Sequence, residues 1–180
     1  QRPYVCVWDT QSGKLVGKVT CGNMLCIASV AFSRDGRLIA VCGLDQRHTT
    51  AVYEWNTGSR ITSVAGGARR ALEVAFSPSG TELVVVGVKH FRVVTLRGGR
   101  NSVSRRGIFG SKSKIQTVHC ISYVSNPETG EATAVLGAAD GSLLKLGGRR
   151  VADVVAEAHA KAVATLFTVT TGPNKGCLLS

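Results

Sequence analysis

Two segments of the chain repeat one another. Val30 to Gly43 reads VAFSRDGRLIAVCG and Val74 to Gly87 reads VAFSPSGTELVVVG, with Val, Ala, Phe, Ser, Gly, Val and Gly matched at an offset of 44 residues. Each copy is an apolar alternating run, a turn at Asp35-Gly36 or Ser79-Gly80, and a second run rich in Leu, Ile and Val. That is the pattern of a β-hairpin, with glycine where positive φ is wanted. A third, weaker copy starts at HCISYV (His119 to Val124) and resumes at AVLGAADGSLLKL (Ala134 to Leu146), its first turn expanded into the polar loop SNPETGE. Asp140-Gly141 marks a further hairpin within it. A fourth copy begins at Val163 to Val169 and turns through TTGPNKG into CLLS. The third strand of a unit is also visible, since YVCVWDTQSG near the start parallels AVYEWNTGSR, with Trp8 and Trp55 47 residues apart.

Four short strands per ~40–50 residues with Gly-rich turns are the signature of a β-propeller blade of the WD40 kind. The expected architecture is all-β, a WD40-type β-propeller fragment of three full four-stranded blades with partial blades at both ends. Residues 1–19 read as the end of a blade, 20–65 as a WD40-like blade, 66–110 as an atypical blade with a basic segment, 111–156 as a WD40-like blade, and 157–180 as the start of the next. Blades stack face to face, so most strands need apolar residues on both sides, in keeping with 44% hydrophobic and only 18% charged residues. A β-sandwich would not repeat one pattern at this period. The Ala-rich stretch Val151 to Phe167 has helical character. The repeat phase instead asks for a strand over Val151 to Val155, a connection through His159 and a strand from Val163, and the repeat is followed. The chain begins at Gln1 without Met or a signal peptide and reads as a piece of a longer protein, whose remaining blades are required to close a ring.

Composition and motifs narrow the function. The chain is too apolar for disorder, and its densest apolar run, Leu83 to Val88, falls well short of the ~18 residues a membrane helix needs, so no membrane partner is expected. Cys6, Cys26, Cys42 and Cys120 sit in apolar runs, where a free thiol behaves as a small hydrophobe. There is no C-x-x-C pair, and Cys21 and Cys26 are wrongly spaced for zinc, which favours a reducing compartment with no metal and no cofactor. His48, His90, His119 and His159 follow the repeat rather than a ligand cluster. His48 and His159 are expected to hydrogen-bond buried backbone or hydroxyl groups, each holding a loop against its neighbour. Trp8 and Trp55, at equivalent repeat positions, are expected to pack in the core or between blades. No catalytic motif with a mechanism is present: Gly107 to Ser113 lacks phosphate-loop spacing, and Asp45 and Asp140 sit in hairpin turns, where Asp accepts local backbone bonds. The chain reads as a non-enzyme.

An ordered set of segments resembles the echinoderm microtubule-associated protein-like family. Gly87-Val88-Lys89-His90, Gly98-Gly99, Arg106-Gly107-Ile108-Phe109-Gly110 and Cys120 fall in the order of that family's atypical blade. Upstream, Gly43-Leu44-Asp45, His48-Thr49 and Trp55 fit its preceding blade. Val94 and Leu146 stand where the family has Trp, and only Trp8-Asp9 keeps the literal Trp-Asp pair. The resemblance implies a tandem-propeller protein that binds tubulin or the microtubule lattice, in the cytoplasm and cytoskeleton, with other cytoskeletal or axonemal proteins as further partners and a ciliary or flagellar axoneme as one setting.

The charge map points to where such a partner would sit. The chain has 22 Lys+Arg against 11 Asp+Glu, a net +11, yet Leu83 to Pro127 contains no acidic residue at all. The expected partner-binding patch is Arg97, Arg100, Arg105, Arg106, Lys112 and Lys114, in a Gly- and Ser-rich edge strand with flanking loops. Such a surface attracts an acidic partner at long range and weakens with salt. Nucleic acid is disfavoured because base stacking needs aromatics among the charges, and the stretch offers Phe91 and Phe109, the latter read as blade packing. The alternatives are a generic WD40 scaffold for other proteins and an RNA-binding WD40 protein using the basic strip.

Overall fold

The structure is a computed structural model that describes residues 2–97, 101–126 and 129–180. Every named strand lies in an antiparallel sheet, and within each sheet strands adjacent in sequence are hydrogen-bonded neighbours. Strands β1 (Tyr4–Trp8) and β2 (Leu15–Thr20) form a pair. The first full sheet is β3 (Ile27–Phe32), β4 (Leu38–Gly43), β5 (Thr50–Glu54) and β6 (Ser59–Val64). The second is β7 (Ala71–Phe76), β8 (Glu82–Gly87), β9 (His90–Thr95) and β10 (Val103–Arg106). The third is β11 (Val118–Ser125), β12 (Ala132–Ala138), β13 (Leu143–Gly147) and β14 (Arg150–Val155). A last pair joins β15 (Phe167–Thr168) to β16 (Leu178–Leu179). Consecutive four-stranded meanders are propeller blades.

The repeat seen in the sequence is a repeat of hydrogen bonds. In the β3–β4 turn, Ser33 N–H donates to Leu38 O (2.9 Å), Gly36 N–H to Ser33 O (2.9 Å), and Leu38 N–H to Ser33 Oγ (2.9 Å). In the β7–β8 turn the same three bonds recur, from Ser77 N–H to Glu82 O (2.8 Å), Gly80 N–H to Ser77 O (2.8 Å) and Glu82 N–H to Ser77 Oγ (3.1 Å). Gly36 and Gly80 both have φ of 70°, a left-handed conformation costly to residues with a Cβ.

Each central strand feeds two cores. In β8, Leu83 and Val85 pack toward β3–β6 while Val84 and Val86 pack toward β11–β14. In β4, Ile39 and Val41 face the β1–β2 pair while Ala40 and Cys42 face β7–β10. The four apolar clusters are therefore the layers between successive sheets, and strand periodicity forces the arrangement because neighbouring side chains point to opposite faces. The inner strands add a clasp. β3, β7 and β11 each carry a register shift near their start, between Ile27 and Ser29, Ala71 and Glu73, and Val118 and Cys120. The residue after each shift reaches the next unit: Ser29 Oγ accepts from Val74 N–H (3.3 Å) of β7, Glu73 Oε2 from Ile121 N–H (3.0 Å) of β11, and Cys120 Sγ donates to Val163 O (3.3 Å) in the connection that precedes β15.

Two sequence expectations need correction. No helix forms over Val151 to Phe167, yet the following strand starts at Phe167 rather than Val163. Val163 and Leu166 are buried against Cys120 and Val135, and Val163 N–H is bonded to Ala138 O (3.1 Å), so this stretch is a packed connection ahead of the ladder. Cys26 is exposed, because it lies just before β3 and engages Leu44 through its carbonyl (2.9 Å) rather than packing its thiol. Cys42 and Cys120 are buried, and burial pushes their thiols up to about 11 and about 12, with the nearby Glu73 adding to the rise at Cys120. In the native protein a thiol reagent at neutral pH should modify Cys26 and Cys177 and spare Cys42 and Cys120 until denaturant is added; mass-spectrometric mapping of the labelled sites checks this.

Burial also raises the Glu73 carboxyl above its ordinary value, against the pull of the Ile121 N–H. A carboxyl raised in the folded state contributes its stability at low pH and loses it as pH rises through the folded pKa. Glu73→Gln should therefore gain stability relative to the parent as pH rises above the ordinary carboxylate range, and the two should converge in acid, as read from paired thermal melts.

Candidate protein-partner interface

The basic segment begins where β9 ends. Arg97 is exposed, two residues beyond the strand, while Arg100 and the Gly98-Gly99 pair lie outside the described residues. β10 is the outer strand of its sheet, paired through Val103↔Thr95, Ser104↔Val94, Arg105↔Val93 and Arg106↔Arg92. Arg105 and Arg106 are both exposed but leave opposite faces of the strand. Arg106 shares its face with Arg92, whose Nε donates to Ser104 Oγ (2.8 Å) and Nη2 to Ser104 O (3.4 Å). Partial burial, and then the Arg106 charge beside it, lowers the Arg92 pKa.

After β10 the chain crosses to the next sheet and is stitched to it. Gly107 N–H bonds Phe91 O (2.8 Å), Ile108 N–H bonds Arg149 O (2.9 Å), and Val151 N–H bonds Ile108 O (2.9 Å), a parallel bridge onto β14. Phe109 is buried and meets Phe91 edge-on, ring centroids 5.2 Å apart and planes at 75°. Gly107 is needed there, because a Cβ on it would overlap the Phe91 ring. Lys112 Nζ donates to Ala152 O (2.6 Å), and Lys114 lies 3.7 Å from Asp140, which Gln116 also bonds (2.9 Å). Lys112 and Lys114 are thus exposed but tied to the β11–β14 sheet.

This crossing creates a cleft that sequence reasoning missed. The β13–β14 turn, Gly148-Arg149, comes to face β10, and a depression of about 210 Å³ is lined by Arg97, Arg105 and Arg149 with Glu82, Thr95 and Val103. Arg149 Nη1 donates to Arg106 O (3.4 Å), which fixes it across the seam. Among the described residues, none of these three arginines forms an ion pair within 4.0 Å. The one acidic group in the cleft, Glu82, accepts from Thr95 Oγ1 (3.2 Å). The signal for Arg149 is the GGRR run at 147–150, but nothing local couples it to Arg105.

The expected structural residues divide. Trp55 donates its indole N–H to Gly36 O (2.6 Å) in its own sheet's first turn, and its ring lies against Gly17 of β2. Trp8 is 58% exposed. It ends β1, which among the described residues is paired with β2 alone. His159 bonds Ser180 Oγ through Nε2 (2.7 Å) and Gly141 O through its N–H (3.1 Å). The ring bond expected of His48 is not made, since its Nδ1 has no partner among the described residues; its carbonyl holds the loop instead, accepting from Gly66 N–H (3.1 Å). Asp45 accepts from Thr49 N–H (2.8 Å) and Oγ1 (2.7 Å), the local role its hairpin turn implies. No cluster of three His, Cys, Asp or Glu forms a metal site among the described residues.

Stacked four-stranded meanders with a shared first-turn motif define a WD40-type β-propeller, here with a cationic outer seam. Solved propellers superpose on it: the Myceliophthora thermophila Cps50 (Swd1) β-propeller domain at TM-score 0.74 and 16% identity, over 93% of this chain and 53% of that one. Chaetomium thermophilum Sqt1 bound to the N-terminus of ribosomal protein L10 superposes at TM-score 0.69 and 18% identity, over 95% of this chain and 47% of that one. In sequence, the chain is similar to human echinoderm microtubule-associated protein-like 2, at 27% identity over 163 residues, 87% of this chain and 24% of that protein. It is likewise similar to mouse echinoderm microtubule-associated protein-like 4, at 27% identity over 142 residues, 75% of this chain and 14% of that protein. The chain thus spans at most about a quarter of the length of these relatives. No protein-family profile matches it.

Phe109 is the anchor of the crossing, so Phe109→Ala should destabilise the protein by about 3–5 kcal/mol. Lys112→Ser, losing one exposed hydrogen bond, should cost no more than about 1 kcal/mol. Denaturant midpoints measure both.

Proposed function

We propose that this chain is part of a non-enzymatic WD40 propeller scaffold that binds the acidic surface of tubulin or the microtubule lattice through its cationic outer seam. The observation that carries the reading is the set of exposed arginines at Arg97, Arg105, Arg106 and Arg149, none of them ion-paired among the described residues, displayed on a stack of sheets. Similarity to two microtubule-associated proteins supports the choice of partner. The Sqt1 neighbour, bound to a segment of a ribosomal protein, supports protein binding as a use of the fold. The proposed mechanism is positioning without chemistry: stiff blades present many weak charge contacts, which together give speed of encounter and avidity. An RNA-binding role is disfavoured because Phe91 and Phe109 are sealed in the core, 0% and 6% exposed, leaving no stacking platform among the arginines. A cytoplasmic, cytoskeletal location follows from the reading. An axonemal setting has no observation of its own and is not part of the proposal.

Co-sedimentation of the complete protein with taxol-stabilised microtubules tests this. Replacing Arg97, Arg105 and Arg106 together with Ser should weaken pelleting roughly tenfold at low salt, equivalent to about 1.4 kcal/mol. Raised salt should abolish most of the difference between parent and variant. Unchanged pelleting of the triple variant would overturn the proposal.

A further inference from the structure

We propose that the cleft between β10 and the β13–β14 turn is a discrete binding site for neighbouring carboxylates of an extended acidic peptide segment. The inference deepens the reading above and rests on it for the kind of partner, but it assigns the contact to one place. Three guanidinium groups, from Arg97, Arg105 and Arg149, share the cleft with a single carboxylate, Glu82. Their formal charges leave two positive charges unbalanced, and among the described residues no acidic group, Glu82 included, lies within 4.0 Å of any of the three. Exposed cations gathered at one seam set up a positive field that draws an anion toward it.

Geometry selects the ligand. Arg97 enters beyond the end of β9, Arg105 from the middle of β10, and Arg149 from the facing turn. The cations are therefore spread along two walls rather than aimed at one point. Two carboxylates on nearby residues match that spread, each offering a flat fork to a guanidinium. The cleft, about 210 Å³ in volume and open to solvent, has room for the ends of acidic side chains.

The peptide does not add to β10 as a fifth strand. Gly107 N–H bonds Phe91 O, so by the alternation of an antiparallel ladder Ser104 and Arg106 turn their main-chain groups outward. Both outward carbonyls already accept from guanidinium groups, Ser104 O from Arg92 and Arg106 O from Arg149 (3.4 Å each). The edge is guarded by charge. The Arg106 carbonyl also holds Arg149 in place before any ligand arrives, which lowers the ordering cost of binding.

Fluorescence anisotropy on the complete protein tests the site, using a labelled hexaglutamate peptide at low salt. The peptide should bind, and a hexaglutamine peptide should not. Arg149→Ser and Arg105→Ser should each weaken binding about tenfold. Lys14→Ser, which removes an exposed cation in the β1–β2 turn, should leave it unchanged. Unaltered affinity in both cleft variants, with native melting curves, overturns the inference whatever the microtubule result. So does stronger competition by a singly phosphorylated neutral peptide or inorganic phosphate than by unlabelled hexaglutamate. If the peptide binds through the cleft while the parent protein fails to pellet with microtubules, the inference stands and the microtubule proposal falls.

Discussion

A strand that is apolar on both sides has to be covered on both sides, and the rest of this structure follows from meeting that requirement sheet after sheet. β8 is the clearest case, since Leu83, Val84, Val85 and Val86 are all nearly inaccessible to solvent and alternate between two different cores. Fully burying one such side chain is worth about 1.5–3 kcal/mol, so neither face can be left to water without large loss. Stacking, however, is non-directional, and burial alone would tolerate sliding. Direction comes from the clasp on the inner strands. Glu73 reaching Ile121 N–H, and Ser29 reaching Val74 N–H, tie the first strand of one sheet to the first strand of the next at equivalent registers.

The outer edge is organised differently. There the sheets are linked by the chain itself as it runs from β10 through Phe109 to β14, and the link brings arginines from two sheets to one seam. Apolar anchorage and surface charge are thus interleaved within a few residues. Gly107 and Phe109 are buried, while Arg105, Arg106 and Lys112 between and around them are exposed. Rigid anchoring of the segment is what turns a run of cations into a shaped surface.

Much of the fold was legible because its determinants are local. The Ser-x-x-Gly turns at 33–36 and 77–80, the alternation in β4 and β8, and the Asp45 turn all depend on residues within one hairpin. Phe109 as a packing residue was legible too, since an aromatic between glycines has little other use in a blade. The candidate site was legible only in part. Arg97 and Arg105 stood out by the absence of acid around them, but their meeting with Arg149 depends on where a distant turn falls, which no local pattern encodes. Cys26 and the ring of His48 depart from the pattern for a related reason. Periodicity shows which positions can be buried, whereas burial itself depends on a neighbour from elsewhere being there to cover them.

The bridge of Ile108 onto β14 has a mechanical meaning. Because main-chain hydrogen bonds join the exit of one sheet to the outer strand of the next, the two blades cannot hinge open like pages without breaking Ile108–Arg149 and Ile108–Val151 together. A force that tries to part them at the rim loads those bonds side by side, while at the inner end the Glu73 clasp resists the same motion. The pair of blades behaves as one stiff girder, braced at both edges, and a tether attached near β10 transmits its tension to two sheets at once.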